Sequence, residues 1–197
     1  MKHQARRLEM ATKPHITEQG RILLPIARAA IAHALGIPQT ADESAPWLAE
    51  RGACFVTLTQ DGNLRGCIGT LEAHRSLLTD LKNNAVSAAL RDPRFSPLSK
   101  EELGITTIEI SLLSPIKPLT FTNEADALAQ LRPGVDGVVF EYDGYRSTFL
   151  PQVWEQLSTP HEFMAHLKRK AGLPDNFWES GVKLSSYSVT KFSEKGL

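Results

Sequence analysis

The sequence has almost no cysteine, no excess of either charge, few aromatic residues and no long apolar run, and each shortage removes a class of protein. Two cysteines, Cys54 and Cys67, are too few for a disulfide scaffold. Lysine plus arginine and aspartate plus glutamate both number 22, so the formal net charge is zero with neutral histidine. A whole-protein electrostatic case for nucleic acid therefore fails, leaving only a local basic patch as a route to RNA. Aromatic residues at 7% offer little stacking surface for such a role. No run approaches the roughly 18 apolar residues that a spanning helix needs. The N-terminus, with Lys2, Arg6, Arg7 and Glu9, lacks the apolar segment of a secretory signal, and a cytoplasmic location is expected. Glycine-rich phosphate loops, nucleophile elbows and closely spaced metal ligands are also missing. His161 and His166 lie on one expected helix, but five positions apart they diverge by about 140° at roughly 100° per residue, so neither metal nor cofactor is expected.

What is present is enough apolar residue, 42%, to bury a core as one domain or two packed halves. The densest group of chemically capable residues is the stretch Gln60 to Thr70. Asp61-Gly62 reads as a two-residue hairpin turn between Cys54–Thr59 and Leu64–Thr70, because both residues tolerate positive φ. Strand alternation sends Arg65 and Cys67 to one face, Leu64 and Ile68 to the other. With that turn, Val56 faces Cys67 and Cys54 faces Gly69, a diagonal arrangement of thiols that disfavours a disulfide. A guanidinium beside a thiol favours the thiolate, and Gly66 and Gly69 permit close approach of a ligand or of another backbone. An equally simple reading makes Cys67 a small buried hydrophobe, the glycines a bulge and Arg65 half of an ion pair.

The remaining chain alternates helix and strand signals. Residues 1–16 are polar and without apolar period, which predicts an arm. Ile22, Leu23, Ile26, Ala30, Ile31, Ala34 and Leu35 mark a helix from Thr17 to Gly36, with Pro25 as a kink or restart. Trp47 and Leu48 anchor an otherwise loop-like 37–51. Leu77 to Ala89 has helical spacing and ends near Arg91, because Pro93 disfavours helix at Asp92. Asp92 suits an Asx-turn. Ile108, Ile110 and Leu112 alternate with Glu109 and Ser111 on a strand; beside the hairpin, Glu109 would meet Arg65 and Ser111 would approach Cys67. The second half repeats this order: a helix near Glu124–Leu131, a hairpin around Asp143-Gly144, a helix near His161–Ala171 closed by Gly172, and a last strand over Lys183–Thr190. Two units of helix, hairpin, helix and strand suggest duplication, with halves of roughly 17–120 and 121–190 and a tail over 191–197.

The hexapeptide Leu64-Arg65-Gly66-Cys67-Ile68-Gly69 resembles the hallmark of the AMMECR domain, called AmmeMemoRadiSam system protein A in prokaryotes. The resemblance extends through Asp92-Pro93-Arg94-Phe95, Ile108-Glu109-Ile110-Ser111, Leu150-Pro151-Gln152-Val153 and Lys170-Ala171-Gly172-Leu173. It implies an α+β fold in which duplicated units share a mainly antiparallel, barrel-like sheet, and a single domain over 17–190. It also implies that Asp92, Arg94 and Gln152 border a cleft. Within that cleft Cys67 would be the nucleophile or substrate-contacting thiol, Glu109 an orienting carboxylate or base, and Arg65, Gly66, Gly69 and Ser111 substrate contacts. The family name implies Memo-like and radical S-adenosylmethionine proteins as partners, although this chain lacks the three-cysteine cluster signature of the radical component. An enzyme or enzyme component, a protein-interaction adaptor and an RNA-binding protein are the three functional readings that follow.

Overall fold

The computed structural model describes residues 14–196, so the expected N-terminal arm lies outside the described residues as far as residue 13. The chain forms two compact units, one running up to Leu113 and resuming at Thr190, the other made of Ser114–Val189. Among the described residues there are two four-stranded antiparallel sheets and no closed barrel; the single shared sheet expected from the resemblance is thereby corrected. No helix among them is long and apolar enough to cross a membrane.

In the first unit α1 (Pro14–Ala34) runs through Pro25 without a break and ends ahead of Gly36, whose φ is 74°. An interior proline costs about 3 kcal/mol, but Leu23, Leu24, Ile26, Ala27 and Ile31 are all essentially inaccessible around it. Each fully buried Leu or Ile contributes roughly 1.5–3 kcal/mol, which outweighs that cost. Trp47 and Leu48 anchor the next loop through a short 3-10 turn, Pro46–Ala49, with Leu48 buried. The hairpin follows as β1 (Cys54–Gln60) and β2 (Asn63–Gly69), and Asp61 and Gly62 take φ of 50° and 82°, as an aspartate–glycine turn with two positive φ requires.

Helix α2 (Leu77–Leu90) is capped by the Ser76 side chain and stops at Arg91. A short helix α3 (Lys100–Leu103) precedes β3 (Thr107–Leu113). The first sheet has the order β2-β1-β3-β8, where β8 is Val189–Ser193. A buried network ties α2 to the hairpin: Asp80 accepts from Cys54 N at 2.9 Å, Thr70 Oγ1 at 2.7 Å and Arg75 Nε at 2.9 Å. Asn84 donates to Cys54 O and to Asp80, both from Nδ2.

The hairpin register differs from the expected one by a single residue. Thr59 pairs with Leu64 but Leu58 pairs with Gly66, so Arg65 is an extra residue in β2, a bulge. Cys67 therefore faces Thr57, and Gly69 faces Phe55, in place of Val56 and Cys54. Paired residues share a face, so the shift sets Cys67 on the side of Thr57, opposite the core side where Val56 is buried, which is the face away from Ile68 that the alternation gave it. It also turns Leu64 outward, 43% exposed, where the alternation had put it in the core; Ile68 does pack against the core.

The second unit contains β4 (Lys117–Pro118), α4 (Glu124–Gln130), β5 (Gly137–Tyr142), β6 (Tyr145–Phe149), α5 (Pro160–Lys170) and β7 (Lys183–Tyr187). Its hairpin repeats the turn, with φ of 42° at Asp143 and 87° at Gly144. The strand order is β4-β7-β5-β6. The expected last strand is in fact two: the extended run is interrupted at Ser188, giving β7 to the second sheet and β8 to the first. The core contains Val138, Phe140, Met164 and Leu167 beside Trp154 and Phe163, whose rings stack at 3.8 Å. Lys168 is buried there, donating to Glu124 and to Asp175 O, with the Trp178 ring 5.4 Å away.

Candidate functional site

β2 is the outer strand of its sheet, and outer strands expose N–H and C=O groups that invite unwanted pairing. Here the segment after α2 covers that edge with side chains. Asp92, 4% exposed, accepts from Cys67 N at 2.9 Å, and Arg94 Nη2 donates to Cys67 O at 3.3 Å. Arg94 is held in turn by Asp92, through Nε at 2.9 Å and Nη2 at 2.7 Å, while its backbone N–H closes the expected Asx-turn at 3.1 Å. The carboxylate and guanidinium thus supply the acceptor and donor that a neighbouring strand's peptide group would offer.

Electrostatics follow from this clasp. The Arg94 hydrogen bonds, with those from the Cys67 and Arg94 backbones, hold the Asp92 carboxyl well below the usual carboxylate range against the opposing effect of desolvation. The Arg94 guanidinium is pushed up, first by its bonds to Asp92 and further by the charges of Asp92 and Cys67. Arg94 is therefore a cation fixed against the backbone of Cys67.

Arg65, to which the sequence assigns that part, is engaged elsewhere. Its Nε and Nη2 bind Glu102 in a fork at 2.9 and 3.1 Å, and Nη1 donates to Ser96 O at 3.0 Å. The pairing expected between Arg65 and Glu109 does not form. β1 lies between β2 and β3, and Glu109 is 3.7 Å from Lys191 on β8. Glu102 also accepts from Gln60 Nε2 at 3.3 Å and caps its own helix through Ser99 N at 2.8 Å. The Arg65 fork, aided by Ser99, lowers its pKa to about 2.

The two ladders place Cys67, Thr57 and Glu109 in one cross-strand row and Gly69, Phe55 and Ser111 in the next. Thr57 Oγ1 lies 3.4 Å from Cys67 Sγ, within hydrogen-bond reach of sulfur. Cys67 is half-buried, whereas Cys54 is fully buried on the core side, where desolvation and then the Asp80 charge push its thiol far up. Both thiols are free.

The two glycines serve packing. A Cβ on Gly66 would lie 2.1 Å from Ala88 O, so the strand lies against the backbone of α2; a Cβ on Gly69 would meet the Phe55 ring at 2.1 Å. Gln152 belongs to the second unit, exposed within the short 3-10 turn Pro151–Glu155.

Two participants escaped the sequence reading. Thr57 was hidden by the wrong register. Glu102 had a signal, since Ser99-Lys100-Glu101-Glu102 before Leu103 is a capping box, and both of its reciprocal bonds are present. No group of three or more His, Cys, Asp or Glu side chains suited to a metal occurs among the described residues.

An α+β protein with a half-buried cysteine on a side-chain-clasped outer strand is the class that the geometry defines. The AMMECR1 family profile matches residues 24–192, and the chain belongs to that family. Protein MJ0810 of Methanocaldococcus jannaschii is 37% identical over 186 residues, covering 90% of each chain. A protein of Methanothermobacter thermautotrophicus is 38% identical over 192 residues, covering 95% of this chain and all of the relative. The crystal structure of uncharacterized protein PH0010 from Pyrococcus horikoshii superposes with a TM-score of 0.75 at 30% identity, covering 90% of this chain and 92% of that one.

Proposed function

We propose that this AMMECR1-family chain is an enzyme or enzyme component whose reactive group is the Cys67 thiol. The carrying observation is the setting of Cys67: Thr57 Oγ1 at 3.4 Å from its sulfur and Arg94 fixed by Asp92 at its backbone. In this reading the Cys67 sulfur, in contact with the Thr57 hydroxyl and with Arg94 on its backbone, attacks or holds an electrophilic substrate. Glu109, in the same cross-strand row, is the base or orienting carboxylate, and Ser111 and Gly69 are substrate contacts. Arg65 holds the 96–102 segment in place and so keeps the clasp registered.

Memo-like and radical S-adenosylmethionine proteins are the proposed partners, in an AmmeMemoRadiSam system within the cytoplasm. The common strand order, an outer hairpin strand, its partner, a strand following the next helix, and one strand more, supports descent of the two units from a duplicated ancestor.

The test is covalent capture from a metabolite extract by native protein and by Cys67→Ser, with matched unfolding midpoints. A mass increment on native protein alone supports the reading; equal recovery of everything by both proteins overturns it. A second reading, a protein-interaction adaptor, draws on the exposure of Leu64 (43%) and Ile105 (67%) in the first unit. A protein partner retained by Cys67→Ser and lost with Leu64→Asp would favour it.

A further inference from the structure

We infer that Arg94 is an anion-docking group for the Cys67 thiol, so that the substrate carries a carboxylate or phosphate next to its electrophilic atom. The inference rests on the thiol reading above and adds the class of substrate.

The argument begins with how the five N–H donors of the guanidinium are used. Nε and one donor of Nη2 are directed to the Asp92 carboxylate, and the second Nη2 donor reaches Cys67 O. Among the described residues, Nη1 has no hydrogen-bond partner, and it carries two of the five donors. The Arg94 side chain is 54% exposed, although its partner Asp92 is 2% exposed. One edge of the guanidinium is therefore locked to a buried carboxylate while another faces open space.

A lone surface arginine gives up much rotamer freedom when it binds an anion. Arg94 has already lost it. Two charge-assisted bonds to Asp92 and the Phe95 ring, 5.5 Å from Cζ, hold the plane in place, so the free donors are preorganised. The position is also chemically specific. Arg94 donates to the backbone carbonyl of the same residue whose sulfur is the nucleophile, so an anion seated on Nη1 is held beside Cys67.

Other charges at this face do not offer the same geometry. Lys191 faces Glu109 at 3.7 Å, and Arg65 directs all three of its nitrogens to Glu102 and Ser96. The charge of Asp92 weakens net anion attraction at Arg94, which points to a bound group recognised by directed hydrogen bonds more than by diffuse field.

Iodoacetate and iodoacetamide make the test, because they deliver the same methylene with and without a carboxylate. In each, the Cys67 thiolate displaces iodide and forms a thioether, with no other reactant. The measured quantity is the ratio of the two alkylation rates at Cys67, divided by the same ratio for a free small thiol at the same pH and ionic strength. Docking at Arg94 predicts a normalised ratio above one, about tenfold for 1.4 kcal/mol of added binding. Arg94→Gln should return it to one, and Lys191→Gln should leave it raised.

Competition in the unaltered protein avoids any doubt about folding of the Arg94 variant: inorganic phosphate or acetate, at constant ionic strength, should slow iodoacetate selectively. Whichever acts at the lower concentration identifies the head group. A normalised ratio of one with no competition, while iodoacetamide labels Cys67 readily, overturns the docking role and leaves the thiol reading intact. Inertness of native Cys67 to both reagents overturns the thiol reading itself. A ratio that stays raised in folded Arg94→Gln also overturns the assignment, because the preference then arises elsewhere.

Discussion

Thr57 and Cys67 stand opposite each other across β1 and β2, with Oγ1 3.4 Å from Sγ. A hydroxyl that donates to the sulfur stabilises its charged form, and a net hydrogen bond is worth about 0.5–1.5 kcal/mol. Thr57→Val, which keeps the shape and removes the donor, should slow iodoacetamide labelling of Cys67 at fixed pH by roughly two- to tenfold. Thr57→Ser should retain most of the rate. An unchanged rate in folded Thr57→Val would remove the hydroxyl from the site.

Cys54 should behave as the inert control. It is buried, desolvation is the main cause of its raised pKa, and the Asp80 carboxylate adds to the shift. Peptide mapping after N-ethylmaleimide treatment of native protein should find modification at Cys67 and none at Cys54 until denaturant is added. Early labelling of Cys54 would show that the α2–hairpin network opens locally.

The Arg65–Glu102 fork predicts a specific acid response. Glu102 has its pKa lowered to about 2, chiefly by Arg65 hydrogen bonds, so folding holds fewer protons on it than the unfolded chain does. Its contribution is complete above the ordinary glutamate value of about 4.3 and fades as pH falls through that value towards 2. Asp92, also lowered, loses its share in the same direction. Urea unfolding at a series of pH values should show stability declining below about pH 4.3, with a shallower decline in Glu102→Gln. Equal slopes would mean that solvent screening leaves the fork with little net effect.

Gly66→Ala should destabilise through packing. The added Cβ would sit 2.1 Å from Ala88 O, a main-chain atom that cannot move without α2. Overpacking of this kind costs about 1–3 kcal/mol and sometimes more. Thermal unfolding checks it, and a neutral result would show that α2 is free to shift.

Breaking the Lys168–Glu124 pair should be asymmetric. Lys168 has a side chain 2% exposed and Glu124 one 29% exposed. Glu124→Gln leaves a buried ammonium short of its counter-charge, whereas Lys168→Met leaves a carboxylate with access to water. Removing one partner of a fully buried pair costs about 3–5 kcal/mol, and the partial exposure here reduces that. The measurable outcome is a lower denaturation midpoint for Glu124→Gln than for Lys168→Met.

Most of the local structure was legible because its signals are short in range. Asp61-Gly62 and Asp143-Gly144 dictate their turns through positive φ, Pro93 marks the end of α2, and Gly172 closes α5. The site was less legible because its contacts depend on register. One bulged residue, Arg65, exchanged the partners of every later residue in β2 and put Leu64 on the same side as Cys67, whose own face is the one alternation gave it. Alternation alone fixes the face of a strand only when no residue is added; the glycines signalled a bulge, but not that Arg65 would be the added residue. The Arg65–Glu109 expectation failed for a different reason: pairing two polar strands presumed they were neighbours, and the strand order places β1 between them. Separate sheets were illegible too, since Lys183–Thr190 reads as one strand, only Ser188 divides it, and β8 runs on into the expected tail as far as Ser193.

That division has a consequence for biosynthesis. The first sheet takes its fourth strand, β8, from the far end of the chain, and Glu194 beyond it accepts from Arg28 Nε at 2.6 Å across a separation of 166 residues. The same carboxylate receives Ile108 N at 2.8 Å. While a ribosome is still making the second unit, the first has neither that strand nor that anchor, and the flank of β3 is uncovered. N-terminal folding during synthesis, the usual order for a chain built in successive units, is thus blocked from completion here. The hairpin that carries Cys67 acquires its finished sheet only after β8 and Glu194 have emerged, which couples completion of that sheet to synthesis of the whole second unit.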